Sequence, residues 1–228
     1  FVGTIPSTQT AKAGTFDENA IVAVTKAHKG DELVFKNAVS FLRFKMTEDM
    51  TYTFTKETTV TWGGKAVTYG VGDTYDIDKI VSVALTCSGT NSNGYLSGNY
   101  TIGATIEPTT NESPVPEIIS SSGSHGTTNY DGLRQVTLNV SFDSNKEYFF
   151  VSAPSTLVNP VLTFTDNKGA IFMKKLNGTK TANVNKVENL GTINLSMTEI
   201  ISSSLGFGGF SSGTTYYLTD GTNSTVSA

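Results

Sequence analysis

The 228-residue sequence has little of what enzymatic or metal chemistry draws on. It carries one cysteine, so no disulfide can form within the molecule; Cys87 ends the strand-like run Val81 to Cys87 and reads as a small buried hydrophobe. Its two histidines, His28 and His125, lie far apart in turn or loop contexts, which argues against a zinc site or a histidine acid–base pair. The lone thiol has no evident base beside it. The glycine-rich run Leu205 to Phe210 lacks the Lys-Ser/Thr of a phosphate loop and any helix to follow it. Only 16% of residues are charged and the net charge is −4, so there is no basic field for nucleic acid and no polybasic patch for a membrane surface. No apolar run reaches the roughly 18 residues of a membrane-spanning helix. The expectation is a protein without catalysis, cofactor or resident metal, and without nucleic-acid binding or membrane insertion by this chain.

What the sequence does hold is threonine, serine, asparagine and glycine arranged at period two. The stretch Arg134 to Lys175 is the most strongly patterned. Val136, Leu138, Val140 and Phe142 alternate with polar neighbours, which predicts a strand with one dry face, stopped by the turn Asp143 to Lys146. Glu147 to Ser152 is aromatic and β-branched and ends before Pro154. Val161 to Thr165 leads through Asp166-Asn167-Lys168-Gly169 into Ala170 to Lys175, where Asn and Gly tolerate the positive φ of a tight turn. Two hairpins in series predict a meander, whose dry face needs a second sheet.

The other segments read as strands to supply it. Phe1 to Ile5 is short and β-like, and the polar stretch from Ser7 to Asn19 reads as a connector. Ile21 to Thr25 and Leu33 to Lys36 flank a turn. Ala38 to Met46 puts apolar residues on both faces, as a central strand does. Thr51 to Tyr69 predicts two or three strands, with Gly63-Gly64 joining the last two. Ile80 to Cys87 and Tyr95 to Ile106 are expected to pair across the loop Ser88 to Gly94. Glu107 to Gly132 reads as a long surface loop with a short edge strand at Glu117 to Ser120. In Val184 to Met197 a strand is expected with Ile193, Leu195 and Met197 on one face. No fixed-period repeat and no convincing helix is present.

Two features suggest ligands. Trp62, the only tryptophan, lies beside the Gly63-Gly64 turn, where it is either a half-buried sheet residue or an exposed platform for stacking on a sugar ring. Asp73, Asp76 and Asp78 form the one tight carboxylate cluster. Their spacing is not that of an EF-hand loop, so a solvated turn is the simpler reading than calcium binding. Asn-x-Ser/Thr triplets such as Asn177-Gly178-Thr179 follow from composition.

Taken in order, the runs IPSTQTAKAGTFDENAIVAVTKA, LVFKNAVSFLRFK, IVSVALTCSG, GYLSGNYTI, VTLNVSF, KEYFFVSAPSTLVNPVLTFTDNKGAIFMKK and VNKVENLGTI resemble the fimbrillin family of Bacteroidetes, over roughly Ile5 to Ile193. Its members are type V pilins, tip proteins and related surface lipoproteins. The resemblance implies an all-β, transthyretin-like Greek-key β-sandwich of antiparallel sheets, exported as a lipoprotein to the outer membrane and cell surface. It places Phe35-Lys36-Asn37 near the start of a sandwich domain. It implies assembly with other copies or related pilus subunits: a protease removes an N-terminal strand, and a terminal strand of the next subunit fills the groove. Thr214, Tyr216 and Leu218 mark the donor-strand candidate, tethered by the Gly/Ser-rich joint; folding back as an ordinary edge strand is the other reading.

Family pilins carry a further domain ahead of this region, so residues 1–29 read as a lead-in strand and linker, or as the end of that domain. Residues 30–196 read as the sandwich, and 197–228 as the joint and C-terminal strand. The start at Phe1 suggests a processed or excised form. The hairpin insert from Thr51 to Tyr69 exceeds the family pattern and carries Trp62. A glycan-binding module of a surface nutrient-capture system, using Trp62, is the alternative to a pilus subunit or tip/anchor protein.

Overall fold

The computed structural model describes residues 2–25, 32–33, 35–47, 50–62, 64–87, 96–104, 116–120 and 134–201. Their twenty strands are numbered in sequence order. The largest sheet has six strands in the order β2 (Thr8–Thr10), β13 (Gln135–Asn139), β10 (Ile80–Thr86), β16 (Val161–Asp166), β17 (Ile171–Lys175) and β20 (Glu199–Ile201). Against it lies a three-stranded sheet, β14 (Glu147–Ser152), β5 (Ser40–Met46) and β19 (Val187–Ile193). A second three-stranded sheet joins β1 (Val2–Ile5), β11 (Gly98–Ala104) and β12 (Pro116–Ser120). Four two-stranded pairs complete the set: β3 (Ala23–Val24) with β4 (Lys36–Asn37), β6 (Thr51–Thr53) with β9 (Thr74–Asp76), β7 (Thr58–Trp62) with β8 (Lys65–Tyr69), and β15 (Ser155–Leu157) with β18 (Lys180–Ala182). The fold is all-β, and its pairings are antiparallel except at two edges, where β2 runs parallel to β13 and β19 parallel to β5.

Strand alternation explains how the two principal sheets meet. Leu42, Phe44 and Met46 of β5 point into one core with Tyr148 and Phe150 of β14, and face Val83, Leu85, Val136, Leu138, Leu162, Phe164 and Phe172 of the six-stranded sheet. Phe44 sits at its middle: its ring centroid is 5.3 Å from that of Phe150, 6.0 Å from those of Tyr148 and Phe142, and 6.2 Å from Phe164 on the opposite sheet. Burying each such aromatic or leucine side group stabilises the fold by about 1.5–3 kcal/mol. The other face is apolar at the start of β5 and covered there, while Arg43 and Lys45 further along it are part-exposed. Val39 and Phe41, with Val151 and Ala153, are covered by Ile5, Phe16, Ala20 and Val22 in a second, smaller core.

That second core gives the N-terminal stretch a structural role. Residues read from the sequence as lead-in and connector supply β1 and β2, a one-turn 3-10 helix at Glu18–Ala20 capped by Asp17, and the cover of the sandwich's outer face.

Three expectations about pairing are corrected. β13 and β14 do not form a hairpin, so Arg134 to Lys175 is not a meander of two hairpins: β13 belongs to the six-stranded sheet and β14 to the facing one. The connection arches over the core because both strands point their dry faces into it; Phe142 and Tyr148 touch at 4.5 Å, and the Asp143 N–H donates to the Tyr148 hydroxyl at 2.8 Å. β10 and β11 do not pair either; β10 lies between β13 and β16, and β11 between β1 and β12. The all-apolar register of Val83 and Leu85 suits an interior position flanked by two long strands. Leu195 and Met197 do not continue the strand of Ile193. Asn194 accepts from the Ser196 N–H and turns Leu195–Met197 into a one-turn 3-10 helix. The β16–β17 hairpin, with Gly169 at φ 86°, the β7–β8 hairpin, the central place of β5 and the edge strand at Pro116–Ser120 are as expected.

Candidate functional site

Two regions bear on the functional expectations: the sheet edges where strands are added, and the aromatic insert that carries Trp62.

At one edge of the six-stranded sheet β2 pairs with β13 through only three residues, Thr8, Gln9 and Thr10. Thr8 and Thr10 face solvent, whereas Gln9 is 1% exposed and crosses to the other sheet. Its amide oxygen accepts from the Val151 N–H at 2.9 Å and its amide nitrogen donates to the Val151 carbonyl at 2.7 Å. One side group thus occupies both outward backbone groups of a residue on β14, the outer strand of its sheet. Gly14 N–H donates to the Glu147 carbonyl, and Ala153 N–H to that of Leu96, so more of this edge is closed by backbone outside the sheet. Between β2 and the 3-10 helix, the turn at Lys12, Ala13 and Gly14 is exposed. At the far edge of the sheet, β20 pairs with β17 through Glu199, Ile200 and Ile201.

The insert between β5 and β10 closes one end of the core with aromatic rings. Tyr52 and Tyr75 approach Phe172 at 5.9 and 6.1 Å, and Phe54 stacks on Tyr69 at 4.2 Å with planes 6° apart. Trp62 is half-buried. Its ring meets Tyr75 edge-on at 4.9 Å and Tyr69 at 6.2 Å, which is the sheet-packing role expected of it beside a turn. The insert is latched to the sandwich through polar groups: the Tyr75 hydroxyl donates to Asp166 at 2.7 Å, Asn167 to Asp78 at 2.6 Å, and Lys168 to the Asp76 carbonyl at 3.1 Å, its ammonium 5.4 Å from the Tyr75 ring centre. Burial, with the Asp166 hydrogen bond and charge behind it, holds the Tyr75 phenol well above its ordinary range.

The three clustered aspartates do not converge. Asp73 accepts from the Gly70 N–H, Asp76 from the Thr51 hydroxyl and Asp78 from Asn167, each on a different element. No group of acidic, histidine or cysteine residues suited to a metal ion occurs among the described residues. Cys87 is buried, and burial pushes its thiol up to about 11 against a smaller opposing effect of the Arg134 charge. His28, His125, the Leu205 to Phe210 run and the donor-strand residues Thr214, Tyr216 and Leu218 lie outside the described residues.

Sequence reasoning missed two residues that matter here. Tyr75 was legible, since Tyr75 and Ile77 alternate with Thr74, Asp76 and Asp78 as a short strand does. Gln9 was not, because nothing in a polar Ser-Thr-Gln-Thr run marks one amide as buried. No family model, no curated protein and no solved structure matches the sequence. Among the described residues no helix is long and apolar enough to cross a membrane.

Proposed function

We propose that this protein is a fimbrillin-like structural protein of the outer-membrane surface, a pilus subunit or its tip or anchor relative, which assembles by β-strand addition in a transthyretin-like sandwich. The observation that carries this reading is that the N-terminal residues act as short added strands that close edges of longer ones. β1 lies at the edge of its sheet, β2 holds β13 by three residues, and Gln9 and Ile5 cover the outside of β14 and β5. Taking residues 2–12 away leaves the pairings of β10 with β16 and of β5 with β14 in place. It also uncovers the edge of β13, the outward groups of Val151 and the part of the apolar floor of Val39, Phe41 and Val151 that Ile5 covers, while Phe16, Ala20 and Val22 stay on the rest. Unpaired backbone beside an apolar floor is what an incoming strand recognises.

The exposed turn at Lys12 is an accessible place for a protease to release that segment. The donor in this reading is the segment Thr214 to Thr219, in which Tyr216 and Leu218 stand two apart in the sequence. The test is limited digestion of the purified protein after Lys12, followed by gel analysis in SDS without heating. Ladders that appear only after the cut support strand addition; monomers throughout speak against it. Trp62→Ala tests the glycan-binding alternative: sugar binding lost from a still-folded variant would replace the present reading.

A further inference from the structure

We propose that Asn177 is a site of self-catalysed covalent modification, a deamidation through the backbone nitrogen of Gly178. The residues lie between β17 and β18 in a short exposed link anchored on both sides, by Leu176 N–H on the Pro160 carbonyl at 2.9 Å and by Lys180 paired with Leu157. Gly178 has φ 71°, and the space a Cβ would fill is open. Among the described residues no hydrogen bond engages the Gly178 N–H or the Asn177 amide group. Nucleophile and electrophile are therefore neighbours, solvated and unblocked.

The Gly178 nitrogen loses its proton and attacks the Cγ carbonyl carbon of Asn177. A new carbon–nitrogen bond forms, the bond from Cγ to Nδ2 breaks, and ammonia leaves a five-membered succinimide. Water then opens either carbonyl, giving aspartate or isoaspartate. One carboxylate is added close in sequence to Lys174, Lys175 and Lys180, and the isoaspartate form adds a carbon to the main chain in the link between β17 and β18.

Other asparagines in the same molecule are built against the reaction. Asn159 is followed by Pro160, whose nitrogen carries no hydrogen. Behind Asn167, the Lys168 N–H donates to Asp166 at 2.9 Å while the Asn167 amide donates to Asp78. Behind Asn185, the Lys186 N–H donates to the Asn183 carbonyl at 3.3 Å.

The experiment is to incubate the intact protein at neutral and mildly alkaline pH and follow each asparagine peptide by mass spectrometry. Expected are loss of the Asn177 amide, paired aspartate and isoaspartate products, and a rate that rises with pH. Conversion disappears in Asn177→Gln and slows several-fold in Gly178→Ala, with thermal melting confirming that both are folded. Asn93-Gly94 occupies a separate peptide and does not confuse the readout. An Asn177 that stays intact in the folded protein while the unfolded protein converts it overturns the proposal. So does equally fast conversion at Asn167 or Asn185.

Discussion

The Gln9 amide holds both the N–H and the carbonyl of Val151, 142 residues away, and so does for β14 what a neighbouring strand would do. Replacing Gln9 by alanine leaves two buried backbone groups without partners, which costs about 2–4 kcal/mol. Gln9→Glu keeps the acceptor and loses the donor, and sets a carboxylate against the Val151 carbonyl, so it should be at least as destabilising. Denaturant titration of the two variants beside the parent checks both.

Phe44 ties the sheets together through rings on both sides of the core. Phe44→Ala is expected to lose about 3–5 kcal/mol, and Phe44→Leu less, because the smaller cavity left by leucine sacrifices fewer contacts. Thermal melting gives the ordering directly.

The insert should come loose before the sandwich does. Tyr75→Phe removes the hydrogen bond to Asp166 while keeping the ring against Trp62 and Phe172, a loss of about 1 kcal/mol. Hydrogen exchange of β6 to β9 should accelerate in this variant while β10 and β16 keep their protection.

Alkali should weaken the fold. Cys87, raised by burial to about 11, and Tyr75, raised further, both hold their protons in the folded state beyond the pH at which the unfolded protein gives them up. Above the unfolded values the unfolded state binds fewer protons, so stability falls as pH rises. The Cys87 contribution is complete below about 9 and lost between about 9 and 11, and that of Tyr75 begins to go above about 10. Melting temperature should therefore decline from about pH 9 upward, less steeply in Cys87→Ala than in the parent. A flat profile would contradict the assigned burial.

Much of this architecture was written in local pattern. Alternation along β5 announced a strand covered on both faces, and the Asp166 to Gly169 turn announced the β16–β17 hairpin. Those signals are local because the residues that produce them are neighbours in sequence. The arch from β13 to β14 escaped because a turn with Asn145 at φ 59° serves a hairpin or an arch equally well; which one forms depends on partners far earlier in sequence. Trp62 showed its sheet-packing character but not that Tyr75 is what it packs on. Gln9 was beyond reach for the same reason at greater distance, since its burial is decided by Val151.

The measurement closest to the central claim is negative-stain electron microscopy of the concentrated protein after cleavage at Lys12, beside a version ending at Ser212 treated alike. Strand addition predicts filaments from the first and none from the second, because only the first keeps Thr214, Tyr216 and Leu218. Monomers from both, with cleavage confirmed, would contradict it.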